Sequence, residues 1–501
     1  MDNQNSGFGK IRSIIWPIHS FELKKFLPMS FLMFTILFVY SAVRDLKDIF
    51  IQSYAVSGGA ELIAPLKSVF VFPTAILTVF LFSYLVDRYG MKTTFYIVVS
   101  SFIIFFILFA FFLFPNASKI HWNEETIEYF RRISPGFLYY VIPCIGNWSY
   151  SLFFVLAETW GSVMVSSFFW HFANQVTYES EVNRFYAFYS LFGSIGRLIS
   201  GKYIEKLSNV NDNSAFDQNV RILISIAIFA CVCTMLIYYY INMSVISKLK
   251  INNLPKKRSV ISPKKKFNFL KSIKLILSSR YLFFILMLSI CYGVSINLFE
   301  GVLKGHMRDI SKSPSNIGKI MGKISQSIAL FNIMFTFIST YILRKFKWKY
   351  SVLVTPVILL SLGILFFSLM CSTKLQSDMM SAAMFSNFAL WVGMAMDSFS
   401  KGAKFCLFDT TKGIAYRPLK PEEQAQGQSA VEILGGRGGK GLGAVITMMF
   451  TSILFPGSKI LDHVAGFFII FLLVLVIWII SCNQLGTLYE EKINENNKKC
   501  I

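Results

Sequence analysis

Charge is scarce in this chain, and acidic charge scarcest: 15% of its 501 residues are charged, with 27 Asp and Glu against 49 Lys and Arg. The usual marks of catalysis are also missing. No Ser/His/Asp grouping, no His/Cys set at metal-ligand spacing and no nucleotide-hydrolysing motif occurs, so the sequence supports neither an enzyme nor a bound metal or other cofactor. The eight cysteines are scattered. Cys231 and Cys233 fall on different sides of one predicted helix, and Cys231, Cys291 and Cys482 lie inside or at the ends of apolar stretches; they read as small apolar residues, not as a disulfide framework. The strict alternation of an outer-membrane barrel strand is absent. So is a signal peptide: Lys10 and Arg12 are followed by Trp16, Pro17, Glu22, Lys24 and Lys25, and the first apolar stretch is expected to be retained.

Apolar length is abundant. Hydrophobic residues make up 54% of the chain and mean hydropathy is +0.55, which in a soluble protein of this size would leave large sticky patches. About twelve runs, each roughly long enough to cross a ~30 Å hydrocarbon core as a helix, are expected at 26–43, 62–86, 94–114, 147–170, 185–200, 221–243, 281–300, 318–342, 351–371, 380–398, 434–455 and 464–482. The weaker stretch 135–145, with Pro143, reads as a short interfacial helix. The fold class is therefore an all-α polytopic membrane protein of about twelve transmembrane helices.

The net charge of +22 partly reflects a composition rich in Lys, Asn, Ile and Phe, but the basic residues are unevenly placed. Residues 244–280 carry Lys248, Lys250, Lys256, Lys257, Arg258, Lys264, Lys265, Lys266, Lys271, Lys274 and Arg280 with no acid among them. Other basic clusters are Lys10–Lys25, Asp87–Lys92, Arg344–Lys349 and Lys401–Lys420. If spans alternate, all fall on one side, and the positive-inside rule puts that side, with both termini, in the cytoplasm. The loop 244–280 reads as a basic segment beside anionic lipid, not as a nucleic-acid site. It divides the chain into a cytoplasmic segment 1–25, a six-helix half 26–243, the linker 244–280, a second six-helix half 281–482 and a cytoplasmic tail 483–501. A faint repeat agrees. Asp87-Arg88-Tyr89-Gly90-Met91-Lys92 and Arg344-Lys345-Phe346-Lys347-Trp348-Lys349 occupy corresponding turns, and the first resembles the Asp-Arg-x-Gly-x-Lys loop of the major facilitator superfamily. Gly193-x-x-Gly196-Arg197 in span five likewise echoes Gly436-x-x-Gly439-Lys440 in span eleven. Two parallel halves rocking about a central site, a major-facilitator-like arrangement, are expected.

Four charged residues, Lys67, Glu158, Glu300 and Lys440, sit in or at the rims of the apolar runs. An ionisable group at membrane depth is kept where it meets a partner, a wet cavity or a passing solute. Lys67 lies about a turn into span two, where it either faces a cavity or snorkels to the interface. Glu158 is in the middle of span four, far from any interface; a structural ion pair is the plain alternative to a role in transport. Glu300 is four residues before Lys304 and has a local helical partner there. In Arg44-Asp45-Leu46-Lys47-Asp48, Arg44 and Asp48 are spaced to pair, leaving Lys47 freer to meet an anion. The run Gly435-Gly436-Arg437-Gly438-Gly439-Lys440 is not a phosphate loop, since Leu434 and Gly441 stand where Gly and Ser/Thr belong; it either offers Arg437 and Lys440 to a polyphosphate or packs helices closely. Phe168 to Gln175, containing Asn174, offers aromatic faces and amides to a heterocyclic base, or is an interfacial belt.

In order, Arg44-Asp45-Leu46-Lys47-Asp48, Pro65-Leu66-Lys67, Ala157-Glu158-Thr159-Trp160-Gly161, Phe169-Trp170-His171-Phe172-Ala173-Asn174-Gln175, Tyr292 through Val302, Lys404 through Lys412 and Gly435 through Lys440 resemble the ATP/ADP translocase (nucleotide transporter) family of obligate intracellular bacteria and plastids. The resemblance runs from about Trp16 to span twelve. It implies four transport residues matching Lys67, Glu158, Glu300 and Lys440, and exchange of external ATP for internal ADP by alternating access across the bacterial inner membrane. From their own placement, Lys47 and Arg437 are expected to assist Lys67 and Lys440 in neutralising phosphates. Relatives within the family move other ribonucleotides, some with phosphate or protons, and Thr159 and Gly438 depart from the family's usual residues beside two of these sites. Transport of another ribonucleotide is therefore the alternative. A non-transporting receptor, from another class, would not need charges buried in several spans. Oligomeric state has no sequence signature here.

Overall fold

A computed structural model of the chain describes residues 18–499 apart from 178, 211, 247–275, 277, 312, 376–378, 420–422, 425–426 and 429–430. Most of the basic linker 244–280 thus lies outside the described residues. Those described form helices, turns and short connections, with no strand among them. That follows from the apolar runs: in hydrocarbon every backbone N–H and C=O must find its partner within the segment, and a helix does this alone.

The helices that correspond to the expected crossings are α1 (Leu23–Ile49), the two arms of α2 (Ala60–Leu113), α4 (Trp148–Val176), α5 (Glu179–Ser208), α6 (Asn213–Tyr240), α7 (Arg280–Ile310), α8 (Pro314–Lys345), α9 (Trp348–Leu375), α10 (Met379–Ala403), α11 (Gly438–Met448) and α12 (Val464–Lys499), with α3 (Glu124–Ile133) lying outside them; all but α5, α10 and α11 belong to helical segments long and apolar enough to cross a membrane. The arms of α2 meet at Gly90, whose φ of 75° and ψ of 162° suit a residue without a Cβ. This is the glycine of the Asp87–Lys92 turn, so that motif coincides with a break between two helices. Several helices run longer than their apolar runs: α5 exceeds 185–200 at both ends, and α12 continues past residue 482 to Lys499.

The stretch 135–145 is not one interfacial helix. It forms short turns, Gly136–Leu138 and Val141–Gly146, and most of the second is buried. The amphipathic piece is α3, whose N-cap Asn123 accepts from the Thr126 N–H at 2.9 Å and whose Tyr129 and Ile133 are exposed.

Within the first six crossings α1 packs on α5 and α6; within the last six α7 packs on α11 and α12, and α9 on α10 and α12. α5 and α8 join the two halves, and Gly201 and Gly322 let them touch: a Cβ on Gly201 would stand 2.8 Å from the Gly322 carbonyl oxygen. Outward-facing Phe80 and Phe229 are about two-thirds exposed, as lipid-facing residues are in the absence of a bilayer.

The halves also meet at the end opposite the start of α1. There the Ile460 N–H donates to Glu61 Oε1 at 3.2 Å, and the Tyr140 hydroxyl donates to the Ser458 carbonyl at 2.8 Å. The two halves therefore clasp at the far end.

Candidate functional site

Charged side chains from both halves converge behind that clasp. α1 supplies Arg44, Asp45, Lys47 and Asp48, all on its far-end turns. Lys67 lies in a π-type turn, Leu66–Val71, and Glu158 lies three residues before another, Gly161–Phe169. Such turns re-aim side chains and often mark functional positions. From the second half come Asn297, Glu300 and Lys304 on α7, and Asp397 and Lys401 on α10.

The pairing differs from that expected of neighbours in sequence. Lys47 Nζ is 2.9 Å from Asp48 and 3.1 Å from Glu158, and sits 3.7 Å from the centre of the Phe154 ring. Lys47 is thus bound on three sides and 1% exposed, not the freer cation of its loop. Asp48 turns to Lys304, at 2.8 Å, instead of Arg44. Glu300 leaves Lys304 to it and gathers Lys401 at 2.8 Å, Lys67 at 3.5 Å and Arg44 at 3.7 Å. An unpaired buried charge is costly, and for Asp48 and Glu300 helix packing offers closer partners than the next turn of the same helix.

Three of these pairs, Asp48–Lys304, Lys67–Glu300 and Arg44–Glu300, cross between the halves. Asn297 adds a fourth link. Its Oδ1 accepts from Lys67 Nζ at 2.8 Å while its Nδ2 donates to the Lys440 carbonyl at 2.6 Å. This needs α7 and α11 nearly in backbone contact, and the glycines provide it: a Cβ on Gly439 would stand 2.8 Å from the Ile290 carbonyl oxygen, and one on Gly443 2.6 Å from Asn297 Cβ. The packing role of the glycine run is therefore real for Gly439 and Gly443. Gly438 has open space around it.

Lys440 itself is exposed, with no carboxylate within 4.0 Å among the described residues. Its charge still reaches Glu158 electrostatically. Arg437 is set apart from the ion pairs; its guanidinium donates to the Ala75 carbonyl at 2.9 Å, tying α2 to the start of α11. Asn174 is more remote. It is exposed at the end of α4 and accepts from the Tyr186 hydroxyl. Of the seven residues expected in the site, Lys67, Glu158, Glu300 and Lys47 are in the ion-pair network, Lys440 borders it, and Arg437 and Asn174 are not brought to it.

Lys401 corrects a sequence expectation. The sequence puts it in the basic cluster Lys401–Lys420, past the apolar run 380–398, but α10 reaches Ala403, and Lys401 is 7% exposed between Glu300 and Asp397. The signal was there: Asp397 and Lys401 are spaced i, i+4 at the end of an apolar run. Asn297 was also passed over, although a lone amide in an apolar span calls for partners.

A profile of the TLC ATP/ADP transporter family matches residues 1–489. The chain is 34% identical over 497 residues to ADP,ATP carrier protein 1 of Rickettsia bellii, covering 98% of each chain. It is likewise 34% identical over 499 residues to ADP,ATP carrier protein 1 of Rickettsia prowazekii, again over 98% of each. Among solved structures, a D-xylose–proton symporter superposes with a TM-score of 0.56 at 12% identity, over 93% of this chain and 97% of that one, a likeness of fold.

Proposed function

The chain belongs to the TLC ATP/ADP transporter family, and on that footing we propose that it exchanges host ATP for bacterial ADP across the bacterial inner membrane by alternating access. The observation that carries the mechanism is the Lys67–Glu300 pair, which joins the two halves at 3.5 Å behind the closed end. An ammonium paired to a carboxylate across a moving interface can exchange that partner for a phosphate. Lys67 and Lys440 neutralise nucleotide phosphates. Lys440 is the cation open to an arriving anion, and Lys67 is released from Glu300 as the phosphates arrive. Lys47 acts through Glu158, which it holds in place.

Separating buried pairs without a replacement anion is costly in a low-dielectric interior. The nucleotide lowers that cost, so switching is tied to occupancy and net movement becomes exchange. Transport breaks no covalent bond, so no catalytic group is required and the protein acts as a carrier, not an enzyme. Both termini and the basic linker lie in the cytoplasm, facing anionic lipid. The far-end clasp then faces away from the cytoplasm. Uptake into proteoliposomes from a panel of labelled nucleotides tests the reading: ATP and ADP should be taken up in preference to other ribonucleotides, and preferential uptake of another nucleotide, or a need for a proton gradient, would overturn it.

A further inference from the structure

Two opposite charges in the same buried pocket are left over after the ion pairs are assigned. The pocket lies between the halves and is lined by Asp45 of α1, Arg197 of α5 and Ser325 of α8, among others. Arg197 is 7% exposed, and its Nε and Nη2 have no hydrogen-bond partner among the described residues. Asp45 is 5% exposed and has no cation within 4.0 Å among them. It is held instead from the opposite half: Ser325 Oγ donates to Asp45 Oδ2 at 2.5 Å, and Ser41 Oγ donates to Ser325 Oγ at 3.4 Å. The other charged groups facing the pocket are engaged elsewhere, Arg44 and Lys401 with Glu300, Lys304 with Asp48, and Asp397 with Lys401. Asp45 and Arg197 feel each other's charge, yet stop short of contact.

The arrangement depends on the clasp being shut. Opening the far end draws α8 away from α1 and removes the Ser325 hydroxyl from Asp45. Among the described residues of its own half, the carboxylate then has two cations at the pocket, Arg44, which is released from Glu300, and Arg197, whose Nε and Nη2 have no partner to give up. We propose that Arg197 is a positioning residue of the transport cycle: Asp45 is handed from Ser325 of the opposite half to Arg197 of its own half when the far end opens. A hydroxyl is exchanged for a guanidinium, so the open state gains an ion pair as it loses the interhalf ones. This also gives a use to the Gly193-x-x-Gly196-Arg197 motif, which the substrate reading leaves unassigned. The inference rests on the alternating-access part of the proposed function, and not on the identity of the nucleotide.

The test is a distance measurement on the full chain in lipid vesicles. Spin labels are placed at Glu124→Cys and Lys459→Cys, exposed positions at the far end of each half, with the native cysteines replaced. With saturating ATP and ADP the otherwise unaltered chain should show a short and a long component. Asp45→Asn and Arg197→Gln should each deplete the long component by roughly tenfold. The double variant should deplete it no further than either single one, because neither charge is then left waiting for the other. Arg197→Lys should retain most of it. Additive effects, single variants with unchanged distributions, or one short component in the unaltered chain whatever the nucleotide would each overturn the inference. So would Arg197→Gln abolishing nucleotide binding with the distances unmoved, which makes Arg197 a substrate ligand. Nucleotide exchange in the same vesicles judges the transport reading separately. Absent exchange with coupled distance shifts removes ATP/ADP and leaves the handover; normal exchange with uncoupled shifts does the reverse.

Discussion

At the scale of residues, the carrier reading turns on which charges have partners and where those partners come from. Asp48 stands between Lys47 and Lys304, both nearly fully buried. Asp48→Asn leaves two buried ammonium groups with one carboxylate fewer, and removing one partner of a buried pair costs about 3–5 kcal/mol. A clear fall in the thermal unfolding temperature in detergent is the expected result; an unchanged midpoint would show that the pairs carry little. Lys67→Ala and Lys440→Ala address transport instead. Each should cut nucleotide uptake by at least about tenfold, the equivalent of ~1.4 kcal/mol, whereas Lys119→Ala, exposed at the far end, should leave uptake near normal. Lys67, Glu158, Glu300 and Lys440 stand out in the sequence because charge in or beside an apolar run is costly. Their partners do not. Lys47 meets Glu158 and Asp48 meets Lys304 across helices whose packing no local spacing encodes, so the i, i+4 rule chose neighbours that the fold outbids.

At the scale of elements, glycines set how near α7 and α11 approach, and that approach decides whether Asn297 can reach both Lys67 and the Lys440 carbonyl. Gly439→Leu must push the α11 backbone off Ile290, so it should lose both stability and transport. Gly438→Ala enters open space in a helix and should be neutral or stabilising by about 0.5–1 kcal/mol. Equal damage from the two substitutions would show that the run acts through its flexibility and not through close packing. Hydropathy located the crossings well but placed the ends of α5 and α10 too early. Both helices turn polar residues inward at those ends, such as Glu205 toward Gln326 and Lys401 toward Glu300. A window average reads such residues as solvent-facing and stops the span before them.

At the scale of the whole molecule, the two-half architecture was legible from the spacing of apolar runs and the repeated turns, while the clasp at the far end was not, since it is made by short loop contacts such as Glu61 to Ile460. Topology follows from the basic clusters: reporter fusions near Asn116 and at Ser259 should report opposite sides of the membrane, and the same side for both is incompatible with twelve crossings. The central claim, that interhalf ion pairs tie switching to occupancy, is tested most directly by efflux. Proteoliposomes loaded with labelled ADP are diluted into buffer with or without ATP. Rapid release with ATP outside and slow release without it is the predicted result; equally fast release into nucleotide-free buffer would contradict obligate exchange.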